Sequence, residues 1–290
     1  MEILPPKFDE LWDYGKPSDT EVVFRQILTD YQESADEAYV VELQTQIARC
    51  LSLQRRFDEA HLLLDEIERL PTVASGRVRM RYLLERGRTL NSSRNKPAAL
   101  PLFIEAWEIG RECGEDGLAV DAAHMVAIAE EPGAALEWNE RALKLAESSP
   151  MPAARKWRKS LHNNLGWTYF GIQRYDLALG HFIRCREAAA ELGDAESERI
   201  ASWSIAKTYR LQGRIQEALE IQQSQLAELA AQGTEGPYVQ EEMAECLYAM
   251  GRVQEATPYF ATAFELLSQD PWLMDNEPDR IERLKVLGTS

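Results

Sequence analysis

The feature that most constrains the fold is the spacing of small and large residues in one stretch, LHNNLGWTYFGIQRYDLALGHFIRC, at residues 161–185. Gly166 and Ala178 are small where two antiparallel helices would approach each other most closely. Tyr169 and Phe182 are large and would fill the space on either side of that approach. The stretch therefore predicts a helical hairpin.

The same pattern recurs along the chain and predicts six hairpins over residues 41–270. The small residue of the second helix recurs every 36 to 43 residues, at Ala60, Ala99, Ala135, Ala178, Ala218 and Ala256. Two hairpins depart from the pattern, because Asn139 and Gln222 stand where a large aromatic residue is expected. We expect looser packing at these two positions.

The order of residues in the fourth hairpin resembles the tetratricopeptide repeat. The matching residues are Leu165, Gly166, Tyr169, Tyr175, Ala178 and Phe182. The spacing between hairpins exceeds the usual repeat of about 34 residues, and the opening LHNNLGWTY is similar to the long repeats of kinesin light chains. The resemblance implies an all-α fold, a right-handed α-solenoid of about six antiparallel helix pairs. It also implies that the first helix of each pair lines a concave groove in which ligands bind.

The two ends of the chain are expected to cap this array. Residues 1–40 form an acidic lead-in with an N-terminal cap helix that ends near Tyr31. Residues 271–290 form a C-terminal cap helix, whose apolar stripe is Ile281, Leu284 and Leu287. A stack of repeats needs such caps, because its terminal repeats would otherwise expose an apolar face.

The distribution of charge argues against nucleic acid and membranes as partners. The net charge is −16, and residues 1–40 alone hold ten acidic and three basic residues. Nucleic acids and anionic lipids both require a dominant basic surface. No basic leader followed by an apolar run occurs, and no uncharged apolar stretch approaches the length of a membrane span. We therefore expect a cytoplasmic protein, with four cysteines that are buried in helices rather than bound to metal.

The candidate ligand-binding residues are polar and aromatic residues on one face of the first helices. They are Arg81, Arg88, His124, Asn163, Asn164, Trp167, Trp203, Lys207 and Arg210. Several cations on one face of an acidic protein predict a groove that accepts carboxylates. The alternative is that these charged residues are merely solvated. Further along, the same face becomes acidic at Glu241, Glu242 and Glu245.

Two adjacent asparagines in the fourth hairpin favour recognition of a peptide backbone. Asparagine is a poor residue within a helix, so Asn163 and Asn164 point to another use. A side-chain amide can donate and accept hydrogen bonds, as an extended peptide requires. The resemblance places Asn164 at a peptide-clamping position of the family. The variety that binds chaperone tails is not expected, because Val120 and His124 replace its lysine and asparagine.

Catalytic patterns in the sequence are incomplete. Asp121 and His124 could form an oriented base, but the sequence offers no nucleophile, metal partner or phosphate loop beside them. The sequence therefore predicts no metal, no cofactor and no catalytic site. It predicts an adaptor that binds a peptide segment of a partner protein in the groove. An enzyme or small-molecule sensor that uses the same groove is the alternative.

The layout of charge also predicts the chemistry of the ligand. Cations near both ends of the groove, with amides and tryptophans between them, favour an acidic segment that contains aromatic residues. The chain carries such a segment itself, FDELWDYGKPSDTE at residues 8–21, which could act as an internal competitor.

Overall fold

The computed structural model describes residues 5–31, 36–74 and 76–289, and all regular structure in these ranges is helical. The helices are α1 (Pro17–Tyr31), α2 (Glu37–Leu53), α3 (Phe57–Glu68), α4 (Gly76–Ser92), α5 (Lys96–Cys113), α6 (Asp116–Ala129), α7 (Pro132–Ser148), α8 (Pro152–Arg155), α9 (Arg158–Gly171), α10 (Tyr175–Glu191), α11 (Ala195–Leu211), α12 (Ile215–Ala231), α13 (Pro237–Ala249), α14 (Val253–Leu267), α15 (Pro271–Asn276) and α16 (Pro278–Gly288). Short 3-10 helices lie at Phe8–Glu10 and Pro71–Ala74. Within the described ranges, no helix is long and apolar enough to cross a membrane.

Six antiparallel helix pairs account for most of the chain, as the sequence predicted. They are α2/α3, α4/α5, α6/α7, α9/α10, α11/α12 and α13/α14. The chain folds as two compact units, unit 1 (Met1–Arg158) and unit 2 (Lys159–Ser290). Unit 1 holds three pairs and the helix that precedes them, and unit 2 holds three pairs and the helices that follow them. The proposed domain limits at residues 40 and 270 stay a prediction.

In two of the hairpins, an aromatic ring of the second helix packs directly against a glycine of the first helix. In the fourth hairpin, a Cβ atom on Gly166 would overlap the ring of Phe182, which is fully buried beside Ala178. Gly87 faces Phe103 in the same way in the second hairpin. Because the two helices can approach only at a small residue, these contacts explain the spacing in the sequence.

Three hairpins lack the aromatic residue: the first has Leu64, and the third and fifth bury an amide instead. Gln222 is fully buried, and neither atom of its amide has a hydrogen-bond partner among the described residues. Asn139 is also buried, and its Nδ2 donates to the carbonyl of Ala135 over 3.1 Å. A buried polar group without a partner costs about 1–3 kcal/mol. The departure from the pattern therefore carries an energetic cost.

Apolar contacts attach the outer helices to the neighbouring pairs. In unit 1, Phe24 and Ile27 of α1 belong to the buried cluster that includes Ile47 of α2. In unit 2, Ile281 and Leu284 of α16 are buried in the cluster that contains residues of α14, among them Phe260, Ala263 and Leu267. The apolar stripe predicted for the C-terminal helix therefore lies in the core.

The cysteines are buried with one exception. Burial raises the pKa of the Cys50 and Cys246 thiols to about 12, so both are protonated and unreactive at neutral pH. Cys185 is also buried. The expectation is wrong for Cys113, which is exposed because it is the last residue of α5.

Replacing Gly166 by alanine should destabilise unit 2, because the new methyl group would overlap Phe182. We expect a loss of about 1–3 kcal/mol, measured by urea unfolding followed by circular dichroism. Gly180→Ala is the matched control, since open space surrounds Gly180 in the exposed face of α10. This control should gain about 0.5–1 kcal/mol from helix propensity. Equal effects of the two substitutions would contradict the closing role of Gly166.

Deleting residues 272–290 should lower the melting temperature and promote association. The deletion removes α16 and so exposes Phe260 and Leu267, and an exposed apolar face of this kind favours aggregation. Light scattering and thermal melting would report both effects. A shortened chain that stays monomeric and melts at the original temperature would show that α16 is not a cap.

Candidate functional site

The first predicted cation, Arg81 of α4, is buried and is bound by residues that come from the start of the chain. Its Nη2 donates to Oδ2 of Asp9 over 2.6 Å, and its Nε lies 3.6 Å from Oε2 of Glu42. The centre of its guanidinium lies 5.7 Å from the centroid of the Phe8 ring. Arg81 therefore already has an acidic and aromatic ligand, and this ligand is part of the same chain.

The N-terminal segment, defined here as residues 7–14, continues across α2. The indole N–H of Trp12 donates to Oε1 of Gln46 over 3.1 Å. The rings of Trp12 and Tyr14 are stacked, with centroids 4.7 Å apart and planes 4° apart. The guanidinium of Arg49 lies 5.6 Å from the first ring centroid and 5.1 Å from the second. The segment thus covers the first-helix face of α2 and α4.

The second predicted cation, Arg88, belongs to a buried ion network. Its Nη1 donates to Oε1 of Glu85 over 2.7 Å, and its Nη2 donates to Oδ1 of Asp121 over 2.5 Å. Glu85 is fully buried and also accepts from Arg49 over 3.4 Å. Burial alone would raise the pKa of the Asp121 carboxyl, but the charge of Arg88 outweighs burial and the pKa is lowered. These contacts join α2, α4 and α6.

His124 lies one turn after Asp121 on α6, as the sequence indicates. Its pKa is lowered, chiefly because the ring is largely buried, so the neutral form is favoured. The ring centroid lies 5.3 Å from that of Trp157. The carboxylate of Asp121 accepts a hydrogen bond from Arg88. The described residues contain no group of three His, Cys, Asp or Glu side chains that could hold a metal ion.

In unit 2 the predicted tryptophans form part of a continuous row of rings. We call Trp167, Trp203 and Tyr238 the aromatic row. The ring centroids of Trp167 and Trp203 are 5.8 Å apart, and those of Trp203 and Tyr238 are 5.9 Å apart. The indole N–H of Trp203 donates to the carbonyl of Tyr238 over 2.9 Å. The row links α9, α11 and α13, and Tyr238 is 41% exposed, so the row is open to a ligand.

Sequence reasoning missed Tyr238. It follows Trp203 by 35 residues, which is close to the length of one repeat. An aromatic residue that recurs at the repeat spacing marks one face of successive first helices. That signal was present in the sequence and would have added Tyr238 to the candidate residues.

The two predicted cations of α11 have different surroundings. The ammonium of Lys207 lies 4.9 Å from the centroid of the Trp203 ring. Its side chain is partly exposed and has no ion-pair partner in the part of the chain that the structure describes. Arg210, in contrast, donates to the buried carboxylate of Glu242 over 2.5 and 3.2 Å. Only Lys207 therefore keeps a charge for an external ligand.

The acidic end of the predicted face is neutralised by α16. Arg280 donates to Glu241 over 2.8 Å, and Arg283 binds Glu245. Together with the pair of Arg210 and Glu242, these contacts place a cation beside each of the three glutamates. The charge gradient that the sequence suggested is therefore replaced by ion pairs between neighbouring helices.

Asn163 and Asn164 lie on α9, about one turn before Trp167, and both are partly buried. Oδ1 of Asn163 is buried and has no hydrogen-bond partner among the residues described. The backbone carbonyl of Asn164 accepts from the hydroxyl of Thr168 over 2.9 Å. Asn163, Asn164, Trp167, Trp203 and Lys207 thus belong to unit 2, whereas Arg81, Arg88 and His124 belong to unit 1.

Comparison with known families supports the repeat assignment. Residues 158–227 match the family model described as the tetratricopeptide repeat, which covers the fourth hairpin and most of the fifth. No curated protein matches the chain by sequence.

Solved structures with the same fold share little sequence with this chain. A signal transduction ATPase with a tetratricopeptide repeat sensor, from Pyrococcus horikoshii, is 16% identical with a TM-score of 0.72. The alignment covers 92% of this chain but only 43% of that protein, so this chain spans less than half of its length. A putative kinesin light chain from Podospora anserina is 18% identical with a TM-score of 0.54, over 66% of this chain and 95% of that one.

A third structure, NprR in complex with its cognate peptide NprX, is 17% identical with a TM-score of 0.51. That alignment covers 97% of this chain and 81% of NprR. At these identities the likeness concerns the fold alone. The helix pairs, the closing residues and the matched repeat agree: residues 158–227 are tetratricopeptide repeats, and the other helix pairs have the same hairpin fold.

Proposed function

We propose that the protein is an interaction adaptor, and that unit 2 binds a peptide segment of a partner protein on its first helices. The observation that carries the proposal is the aromatic row, with the unpaired ammonium of Lys207 over its central ring. Partly exposed aromatic rings beside a polar group are typical of binding surfaces, because they offer a large contact area at a low entropic cost.

Each part of this surface suits a different part of a peptide. The rings of Trp167, Trp203 and Tyr238 would contact apolar or aromatic side chains. The ammonium of Lys207 would donate to a carboxylate, in a charge-assisted hydrogen bond worth about 1.5–3 kcal/mol.

The charge of the surroundings favours an acidic segment as the ligand. Glu241, Glu242 and Glu245 would repel such a segment if they were free, but each is bound to an arginine. The ammonium of Lys207 is then the charged group beside the aromatic row that an incoming peptide would contact. We therefore propose a partner segment that contains both acidic and aromatic residues.

The peptide complex of NprR supports this type of function for the fold, although it does not assign residues here. The alternative is an enzyme or a small-molecule sensor that uses the same groove, and the described parts of both units contain no group of three His, Cys, Asp or Glu side chains that could hold a metal ion for it. Tetratricopeptide-repeat proteins are generally non-catalytic scaffolds. A location in the cytoplasm, without nucleic acid or a cofactor, stays part of the proposal.

The double variant Trp203→Ala/Lys207→Glu should lose its partner. Quantitative mass spectrometry after pull-down from the native cell would compare it with the unaltered protein. We expect capture to fall more than tenfold, which corresponds to about 1.4 kcal/mol or more. Lys144→Glu is the matched control, since Lys144 is exposed on the second helix α7 and should leave capture unchanged. Equal capture by all three proteins would refute the proposed surface.

Arg88 should behave as a structural residue rather than as a binding residue. Arg88→Ala leaves Asp121 and Glu85 buried without their main cation, and breaking such a pair costs about 3–5 kcal/mol. Lys207→Ala should cost less than about 1 kcal/mol. Chemical unfolding measures both values. A stable Arg88→Ala protein that fails to capture the partner would restore the role that the sequence suggested for Arg88.

A further inference from the structure

The N-terminal segment binds unit 1 in the way that a peptide ligand binds a repeat protein. Its acid, Asp9, meets the cation of Arg81, and the indole of Trp12 meets the amide of Gln46. The stacked rings of Trp12 and Tyr14 lie over the guanidinium of Arg49. The ion pair, the amide contact and the cation–π contact are all made by side chains on the first helices α2 and α4.

The segment is held by few buried groups. Phe8 is its one buried side chain, at 6% exposure, and Trp12 is partly buried. Asp9, Glu10 and Tyr14 are exposed, and Tyr14 reaches 58%. A segment with so little buried apolar surface opens at a low free-energy cost compared with a helix of the core. Its replacement by another segment therefore does not require unit 1 to unfold.

The surface beneath the segment also has hydrogen-bonding capacity that the segment leaves unused. Oε2 of Glu85 and Nε of Arg49 are buried and have no hydrogen-bond partner in the described parts of the chain. Buried polar atoms are normally paired, and an unpaired one costs about 1–3 kcal/mol. A ligand that supplied these partners would bind more favourably than the segment does.

We propose that the face formed by Gln46, Arg49 and Arg81 is a docking surface for a partner segment in which an acidic residue is flanked by aromatic residues. The chain's own N-terminal segment occupies this surface and must be displaced by the partner. The proposal concerns unit 1 and is independent of the proposed function, which concerns unit 2.

Displacement sets the affinity that a partner would show. A tethered segment acts at an effective concentration in the millimolar range. The apparent affinity of a competing peptide equals its intrinsic affinity multiplied by the fraction of molecules in which the surface is open. Weakening the tethered segment should therefore strengthen the binding of a free peptide of the same sequence. A permanent structural cap would not respond in this way.

The test uses the full chain and a fluorescein-labelled synthetic peptide, PPKFDELWDYGK, which copies residues 5–16. The variant Asp9→Lys/Trp12→Ala removes the ion pair and the indole contact but keeps Phe8 as the anchor. Fluorescence anisotropy should show at least tenfold tighter binding of the peptide to this variant than to the unaltered chain. Adding Arg81→Ala should abolish the gain, because the acid of the peptide then loses its partner. Adding Lys144→Glu, on the exposed face of α7, should leave the gain intact.

Three results would overturn the proposal. The first is equally weak binding to the unaltered chain and to the variant, which identifies the segment as a fixed cap. The second is a gain that survives Arg81→Ala. The third is a gain that is lost with Lys144→Glu, which shows that the gain does not depend on the docking surface. Circular dichroism checks that the double variant is folded. If the double variant is not folded, the single variant Trp12→Ala is tested in its place, with the same expected results.

Discussion

The structure depends on the close approach of two helices at a residue without a bulky side chain. In the fourth hairpin, Gly166 lets the Phe182 ring lie against the helix backbone, and Gly87 does the same for Phe103. Van der Waals contact at such a point is lost as soon as the helices separate, so one position controls the packing of the whole pair. The rest of the molecule repeats this unit, and each repeat presents its first helix to its neighbour within the same unit.

The neighbouring first helices are joined by a second type of contact, which uses most of the available cations. Arg88 binds Asp121 in unit 1, and Arg210 binds Glu242 in unit 2. Buried pairs of this kind add little net stability, but removing one partner is costly because a charge is then left buried. An arginine whose charge is neutralised in such a pair cannot attract a ligand. The binding that we propose for unit 2 therefore relies on groups outside the pairs, namely Lys207 and the aromatic row.

The sequence predicted the fold well and the site only in part, for different physical reasons. Hairpins are local, so the spacing of Gly166, Ala178 and Phe182 was sufficient to identify them. The ion pairs are not local: Arg88 binds Asp121 of the next repeat, 33 residues away, and Arg81 binds Asp9 of the N-terminal segment, 72 residues away. Their choice depends on the rotation of neighbouring helices and on the path of the N-terminal segment, neither of which the periodicity encodes. The sequence suggested residues 8–21 as an internal competitor. The structure places residues 7–14 against Arg49 and Gln46, and the competition itself stays a prediction.

The central claim is that a partner covers the aromatic row of unit 2. Hydroxyl-radical footprinting of the full chain, with and without a captured partner, tests it directly by measuring the oxidation of each aromatic side chain. If a partner covers this row, oxidation of Trp203 and Tyr238 falls when the partner is bound. Oxidation of Trp107 and Trp138, which pack together on the second helices α5 and α7, should not change. Protection of Trp107 and Trp138 with unchanged Trp203 and Tyr238 would contradict the account.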